Sequence, residues 1–191
     1  MNSYIVLQNQ LFSLDEFTIV PIRYEDRMDI LKWRNEQLYH LRQDRPLTKE
    51  DQEAYFTSVV SQLFNQEYPS QILFSYMKND ICIGYGGLVH INWKDKNAEV
   101  SFIMNTELEQ DFFSKHWTVF LNLIEEVAFK ELQFHKLITY AFDLRPHIYE
   151  IIEKAGFVKE AVLKEHCLFN GVYKDVIMHG KINKKLSQKF N

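Results

Sequence analysis

The length, composition and charge of the chain limit the classes of protein to which it can belong. Its 191 residues suffice for one domain with a full core, and 46% hydrophobic and 15% aromatic residues predict a compact globule. A formal net charge of −4 gives no reason to expect nucleic acid as a partner. The sequence has neither the apolar run of roughly 20 residues that a membrane span needs nor the pattern of a signal peptide. We therefore expect a cytoplasmic protein without a membrane partner.

The first half of the chain alternates between strand and helix patterns. Residues 1–16 show no clear pattern, and we expect an N-terminal extension there, either an extra strand or a mobile arm. A strand at 17–22 and a helix at 24–35 follow. Thr48 with Asp51 then resembles the capping box that begins a second helix, ending near Phe64. The next three segments are predicted to be strands: 72–77, 81–91 and 97–104.

The second half is predicted to hold two helices and three strands. Apolar residues at a 3.6-residue period predict a long helix from Trp117 to Leu132. A strand at 137–142 leads to a short helix that begins near Pro146 and can end at Gly156. Asn170-Gly171 is a strong hairpin signal. The two strands of the predicted hairpin are 162–169 and 172–182. This order predicts an α+β or mixed α/β fold, with one domain over 17–183 and a C-terminal tail at 184–191.

The final hairpin and the helix before it resemble the C-terminal end of the GNAT acyltransferases, in particular the branch that includes the ribosomal-protein N-acetyltransferases. The family pattern "EK.GF" followed by "E...(K/R)E....NG.Y.D" is matched by Glu153–Phe157, Leu163–Glu165, Asn170–Tyr173 and Asp175. Earlier segments also resemble family patterns: Pro21–Asn35, Ile83–Leu88 and Asn97–Phe102. The resemblance covers about Phe17 to Ile182. It implies a mostly antiparallel, twisted central sheet with helices on both faces.

The resemblance implies an activity. GNAT enzymes transfer an acetyl group from acetyl-CoA to a primary amine by direct attack, without a metal. An amino sugar, a protein N-terminus or another small amine is the expected acceptor, and a homodimer is compatible with the family. The chemistry requires backbone N–H donors for the diphosphate, a donor for the thioester carbonyl and a base for the ammonium.

The phosphate loop of the family is where this chain departs most. Aligned without gaps, its pattern "(Q/R)..G.G" falls on 112–118, where bulky residues replace the glycines. A helix N-terminus there could still offer N–H groups to an anion, or the bulky residues could fill the groove. The residues expected to bind acetyl-CoA are Phe102, Ile103, Phe113, Ser114, Lys115, His116, Trp117, Thr118 and Arg145.

Two residues are expected to take part in proton transfer. Glu99 is the candidate base, because it lies on the strand that borders the family's acceptor cleft; a structural carboxylate is the alternative. The tyrosine acid common in the family falls on Ile152, so Tyr149, one helical turn earlier, is the candidate acid, with a packing role as its alternative. Without an acid the thiolate can leave directly, since the pKa of a thiol is modest.

Four residues are expected to contact the acceptor. Trp33, Arg34 and Asn35 end the first helix beside the family's acceptor region, and His90 lies on a neighbouring strand. Arg34 could hold an anionic acceptor such as a nucleotide-linked amino sugar, or it could pair with a nearby acid while Trp33 packs. Two other functions stay open: a non-catalytic binding module with an overwritten phosphate loop, and an acyltransferase that uses another donor.

Overall fold

The computed structural model describes residues 2–41 and 43–184, which form an eight-stranded sheet with helices on both faces. The helices are α1 (Arg27–Glu36), α2 (Lys49–Tyr55), α3 (Ser61–Leu63), α4 (Thr106–Glu125) and α5 (His147–Lys154). The strands are β1 (Phe12–Leu14), β2 (Phe17–Pro21), β3 (Ile72–Lys78), β4 (Ile81–Asn92), β5 (Asn97–Met104), β6 (Lys136–Phe142), β7 (Val158–Phe169) and β8 (Val172–Ile182). Of the expected C-terminal tail, all residues after Lys184 lie outside the described residues.

The strand order is β1-β2-β3-β4-β5-β6-β8-β7, and each pair of neighbours is antiparallel except β5 and β6. The predicted mixed fold with a mostly antiparallel sheet is therefore confirmed. The parallel pair is short: Asn97–Glu99 pair with Lys136–Ile138, and the two strands are not paired beyond that point. Because β5 continues to Met104 and β6 to Phe142, they leave a wedge between them.

The two faces of the sheet carry different helices. On one face, Phe120 of α4 stacks on Phe102 of β5 with ring centroids 4.1 Å apart. On the other face, Arg34 of α1 reaches the hydroxyl of Tyr85 on β4. Since successive side chains of a strand point to opposite faces, the even-numbered residues of β5 face α4 and the odd-numbered ones face α1. Over residues 2–41 and 43–184, we find no helix with both the length and the apolar character to cross a bilayer.

Two local sequence signals are confirmed. Thr48 and Asp51 form the reciprocal hydrogen bonds of a capping box at the start of α2. Asn170 and Gly171 have φ angles of 48° and 76° and join β7 to β8 in a tight hairpin. The structure extends this hairpin, because β7 begins at Val158 rather than at residue 162.

The predicted start of the long helix at Trp117 is wrong. Strand β5 ends at Met104, and α4 begins at Thr106, with the Asn105 side chain accepting a hydrogen bond from the Glu107 amide. A π-helical segment, Glu126–Glu131, extends α4 at its other end. No glycine-rich loop therefore separates β5 from α4 in this part of the chain.

The N-terminal extension packs into the same core and adds strand β1. The Tyr4 side chain is 1% exposed; its hydroxyl donates to the Leu73 carbonyl at 3.0 Å and accepts from the Leu73 amide at 2.9 Å. The backbone amides of Gln8 and Asn9 donate to the Glu131 carboxylate beyond the end of α4. These contacts fasten the extension to β3 and to the C-terminal end of the long helix.

Gly86 of β4 allows α4 to approach the sheet closely. A Cβ at this position would lie 2.2 Å from the Ser101 carbonyl oxygen and 2.8 Å from the Phe120 ring. We expect Gly86→Ala to lower the free energy of unfolding by about 1–3 kcal/mol, because neither neighbour can move freely. Urea denaturation measures this change. Gly180→Ala is the matched control, since the nearest atoms to its Cβ belong to the flexible Glu160 carboxylate. Equal denaturation midpoints for the two variants would contradict the packing argument.

Candidate active site

A cavity of ≈ 570 Å³ occupies the wedge between β5 and β6. Its volume lies within the range of small-molecule sites in proteins. Residues of β4, β5 and β6 form its floor and sides, and Arg34 of α1, Trp117 of α4, and Ile148 and Ile152 of α5 complete the wall. The cavity has an apolar half on the α4 face and a polar half on the α1 face.

The apolar half is formed by aromatic and branched side chains. Trp117 packs edge-to-face on Phe102 with ring centroids 5.1 Å apart, and Ile148 and Ile152 of α5 line the same space. Thr139 of β6 also lines the cavity; its hydroxyl is buried and has no hydrogen-bond partner among the described residues. A buried hydroxyl without a partner is costly, so a polar group of a ligand would be well placed there.

The polar half contains a guanidinium held by neutral groups. Arg34 donates to the Tyr85 hydroxyl at 2.7 Å and, through Nε and Nη2, to the Gln43 side-chain oxygen at 3.1 and 2.8 Å. His40 lies in the same wall, 3.1 Å from the Gln37 side-chain oxygen. Burial, together with the charge of Arg145, lowers the pKa of His40 to about 3, so this imidazole is neutral at physiological pH.

A carboxylate–imidazole pair lies at the vertex of the wedge. Glu99 is the last residue of β5 that pairs with β6, and its Oε2 lies 2.9 Å from Nδ1 of His90. In a regular strand His90 would point away from Glu99, because its neighbour Val89 is the residue opposite Glu99. A register shift after Val89 and a φ of 49° at His90 bring the imidazole back to Glu99. The strained conformation thus builds the pair.

The start of α4 is acidic and already capped. Glu107 and Glu109 lie in its first turn, and the Asn105 side chain accepts a hydrogen bond from the Glu107 amide. Arg145 donates to Glu109 at 2.9 Å, with both side chains more than 80% buried, and Lys32 donates to Glu107 at 3.1 Å. Negative charge near a helix N-terminus competes with a bound anion. The helix start in this structure therefore does not present a ready phosphate site.

The segment expected to form a phosphate-binding nest does not do so. Residues 112–118 lie inside α4, where backbone amides donate to carbonyls one turn earlier. Among the side chains of this segment that were expected to bind acetyl-CoA, only Trp117 lines the cavity. Phe113 is buried in the core, His116 lies 3.1 Å from the Tyr76 hydroxyl, Lys115 pairs with Glu16, and Ser114 and Thr118 are exposed on α4.

Three other predicted residues are also outside the cavity. Trp33 is 3% exposed and belongs to the core. Asn35 fixes the segment between α1 and α2, since its side chain accepts a hydrogen bond from the Leu47 amide at 2.8 Å and donates one to the Leu47 carbonyl at 2.9 Å. Tyr149 donates to Asp143 at 3.1 Å and stacks on His179, so its hydroxyl does not reach the cavity. The structure does bring together Arg34, His90, Glu99, Phe102, Ile103, Trp117 and Arg145.

Sequence analysis missed several residues of the cavity wall, among them His40, Gln71, Thr139 and Tyr140. The strand pattern at 137–142 could have indicated Thr139 and Tyr140. Successive side chains of a strand point to opposite faces, so two consecutive residues of a strand that borders the cavity can line it on both faces of the sheet. No comparable pattern marked His40, which ends a short 3₁₀ helix, or Gln71, which directly precedes β3. Within residues 2–41 and 43–184, no cluster of three or more His, Cys, Asp or Glu side chains could hold a metal ion.

The buried His116 predicts a pH dependence of stability. Burial lowers its pKa from 6.5 to about 4. Between these values the unfolded chain binds a proton that the folded protein does not, so stability present above pH 6.5 is lost as the pH falls towards 4. We expect His116→Gln to lose less unfolding free energy than the wild type between about pH 7 and about pH 4.5. Urea denaturation at several pH values measures this, with the exposed His135→Gln as control. Identical pH slopes in wild type and His116→Gln would refute the assignment.

Comparison with known proteins identifies the family. The model of the acetyltransferase (GNAT) domain matches residues 19–178. No curated protein sequence matches significantly. Among solved structures, spermidine N-acetyltransferase from Vibrio cholerae in complex with CoA and spermine is 20% identical with a TM-score of 0.76, covering 93% of this chain and 100% of that chain. The spermidine/spermine N-acetyltransferase SpeG from the same organism is 21% identical with a TM-score of 0.73 and the same coverage.

A dodecameric structure of the Vibrio cholerae enzyme is also similar, at 20% identity and a TM-score of 0.71, covering 93% of this chain and 100% of that chain. At these identities the solved structures establish the shared fold, and closeness to the ribosomal-protein branch stays a prediction. The domain model spans most of the sequence, from β2 to β8. The chain therefore belongs to the GNAT acetyltransferases.

Proposed function

We propose that the protein transfers the acetyl group of acetyl-CoA to a primary amine by direct attack. The observation that carries this proposal is the wedge between β5 and β6, with the Glu99–His90 pair at its vertex. The apolar half suits the acyl-thioester arm of the donor, and the polar half suits the acceptor amine. The amine would meet the thioester where the two halves join.

The donor arm fits the residues of the wedge. Bound acetyl-CoA would supply the activated acetyl thioester. Phe102, Trp117 and Ile152 would exclude water from it, and the Thr139 hydroxyl would gain the hydrogen-bond partner that it lacks. The backbone edge of β5 beyond Glu99, which β6 does not pair, would receive the amides of the arm.

The diphosphate fits less well. Arg145 is the cation nearest to this role, and it is bound to Glu109. Holding a diphosphate would therefore require Arg145 to exchange partners. The acidic first turn of α4 favours a second candidate function, an acyltransferase whose donor is held by its pantetheine-like arm rather than by phosphates.

The Glu99–His90 pair would take the proton of the ammonium. Because a carboxylate only accepts hydrogen bonds, a neutral His90 carries its hydrogen on Nδ1 and leaves Nε2 free to accept one. Glu99 then stabilises the imidazolium that forms. The His90 side chain is 64% exposed, so the proton can pass on to water. No side-chain acid is needed for the leaving thiolate, since the pKa of a thiol is modest.

Two further proposals accompany this function. We propose that the protein self-associates, as supported by the dodecamer of the Vibrio cholerae relative, and that it acts in the cytoplasm. A small amine is the proposed partner, supported by the spermine complex of a relative with the same fold.

The base assignment predicts a loss of turnover. We expect Glu99→Gln and His90→Gln each to lower kcat by about 10²-fold or more, because the amine is then no longer deprotonated in the site. The acidic limb of the pH profile should flatten in both variants. Glu126→Gln, an exposed carboxylate on the far part of the long helix, is the control and should keep wild-type kinetics. An unchanged pH profile in Glu99→Gln would remove the pair from the mechanism.

The donor assignment predicts stabilisation by ligand. We expect saturating acetyl-CoA to raise Tm, since a ligand that binds the folded state alone stabilises it. Acetyl-pantetheine, which lacks the diphosphate, serves as the comparison. Similar Kd values for the two donors would indicate that the protein recognises the pantetheine arm. Binding of acetyl-CoA but not of acetyl-pantetheine would indicate that Arg145 leaves Glu109 and binds the diphosphate. If neither donor shifts Tm at millimolar concentration, the acetyltransferase proposal is wrong and a binding module becomes the better interpretation.

A further inference from the structure

The polar half of the cavity contains a positive charge that no acid neutralises. Arg34 is hydrogen-bonded to the neutral side chains of Gln43 and Tyr85, and over residues 2–41 and 43–184 it makes no ion pair. Three of its five N–H groups are used in these bonds, so others remain to face a ligand. A guanidinium presented in this way is suited to a carboxylate or phosphate.

The wall of the cavity offers little to a polycation. Among the described residues that line it, Glu99 is the one carboxylate, and His90 is one of its partners. The same wall contains two guanidinium groups, Arg34 and Arg145, and of these Arg145 is paired with Glu109. A polyamine with several ammonium groups would meet one carboxylate and the unneutralised guanidinium of Arg34, so most of its charges would lack a partner, which costs binding energy in a partly buried site.

We infer that the acceptor of this enzyme is a primary amine that also carries an anionic group, bound by Arg34, and that polyamines are poor acceptors. This inference rests on the proposed acetyl transfer. The sheet also sets a distance between the two groups. Tyr85, which holds Arg34, lies opposite Ile103, whereas Glu99 lies four residues earlier on β5. Four residues of strand span roughly 13 Å. Because the strand separates these two backbone positions, we expect the anion of the acceptor to be remote from its amine and an α-amino acid to be a poor acceptor.

The test compares matched acceptors. A long ω-amino carboxylate and its primary amide differ only in the charge at the distal end; glycine and spermidine test length and polycation binding. We expect the wild type to favour the carboxylate over the amide by about 10- to 100-fold in kcat/KM, which is the range of a charge-assisted hydrogen bond. Arg34→Gln should bring this ratio close to one, and Arg34→Lys should restore part of it. A ratio near one in the wild type, or spermidine as the better acceptor, would overturn the inference.

A binding measurement separates this inference from the proposed function. Calorimetric titration of the donor-free protein with the ω-amino carboxylate and its amide reports on Arg34 without any turnover. If no amine is acetylated but the carboxylate still binds more tightly and Arg34→Gln abolishes the difference, the proposed function fails and the anion site stands. Equal binding of the two ligands would refute the anion site even in an active enzyme. A Tm scan of each variant identifies loss of folding.

Discussion

The separation of β5 from β6 after three residue pairs is the constraint on which the site depends. Each strand is fixed by its outer neighbour: β5 pairs with β4 along most of its length, and β6 pairs with β8 from Lys136 to Phe142. The wedge therefore exists without a ligand to open it. Over residues 2–41 and 43–184, its inner backbone edges are not paired with each other beyond Glu99 and Ile138, so a ligand that forms a strand-like contact gains hydrogen bonds as it enters.

The same constraint separates the residues proposed for proton transfer from those proposed for recognition of the acceptor. Glu99 and His90 lie where the strands meet, while Arg34 and Tyr85 lie further out along β5, where the wedge is wide. The bulge at His90 stores local backbone strain, which the surrounding pairing of β4 and β5 must offset. Under the proposed function, residues of the sheet would carry out the proton transfer, and Arg34 of helix α1 would recognise the acceptor.

Elements that are fixed by hydrogen bonds and backbone preferences within a few residues could be predicted from sequence, whereas those fixed by tertiary contacts could not. The capping box at Thr48 and the turn at Asn170-Gly171 satisfy backbone groups within a few residues, so both were predictable. The helix α4 begins before the expected Trp117, and Asn105 and two acidic residues in its first turn are signals of that start. The family's glycine-rich loop, aligned with residues 112–118, implied a later start. Glu99 and Arg34 line the cavity, whereas Tyr149 and Asn35 do not, since a shift of one position along a helix changes the face on which a side chain lies.

The contacts of Tyr4 mean that the folding unit is larger than the region of homology. The family match begins at residue 19, yet a ring from far upstream fills the space beside β3 and satisfies both backbone groups of Leu73. A gene fragment trimmed to the homologous boundaries would leave a void and two unsatisfied polar groups beneath the sheet. Expression of this enzyme therefore calls for retention of residues 2–18, with any affinity tag joined through a flexible spacer ahead of them.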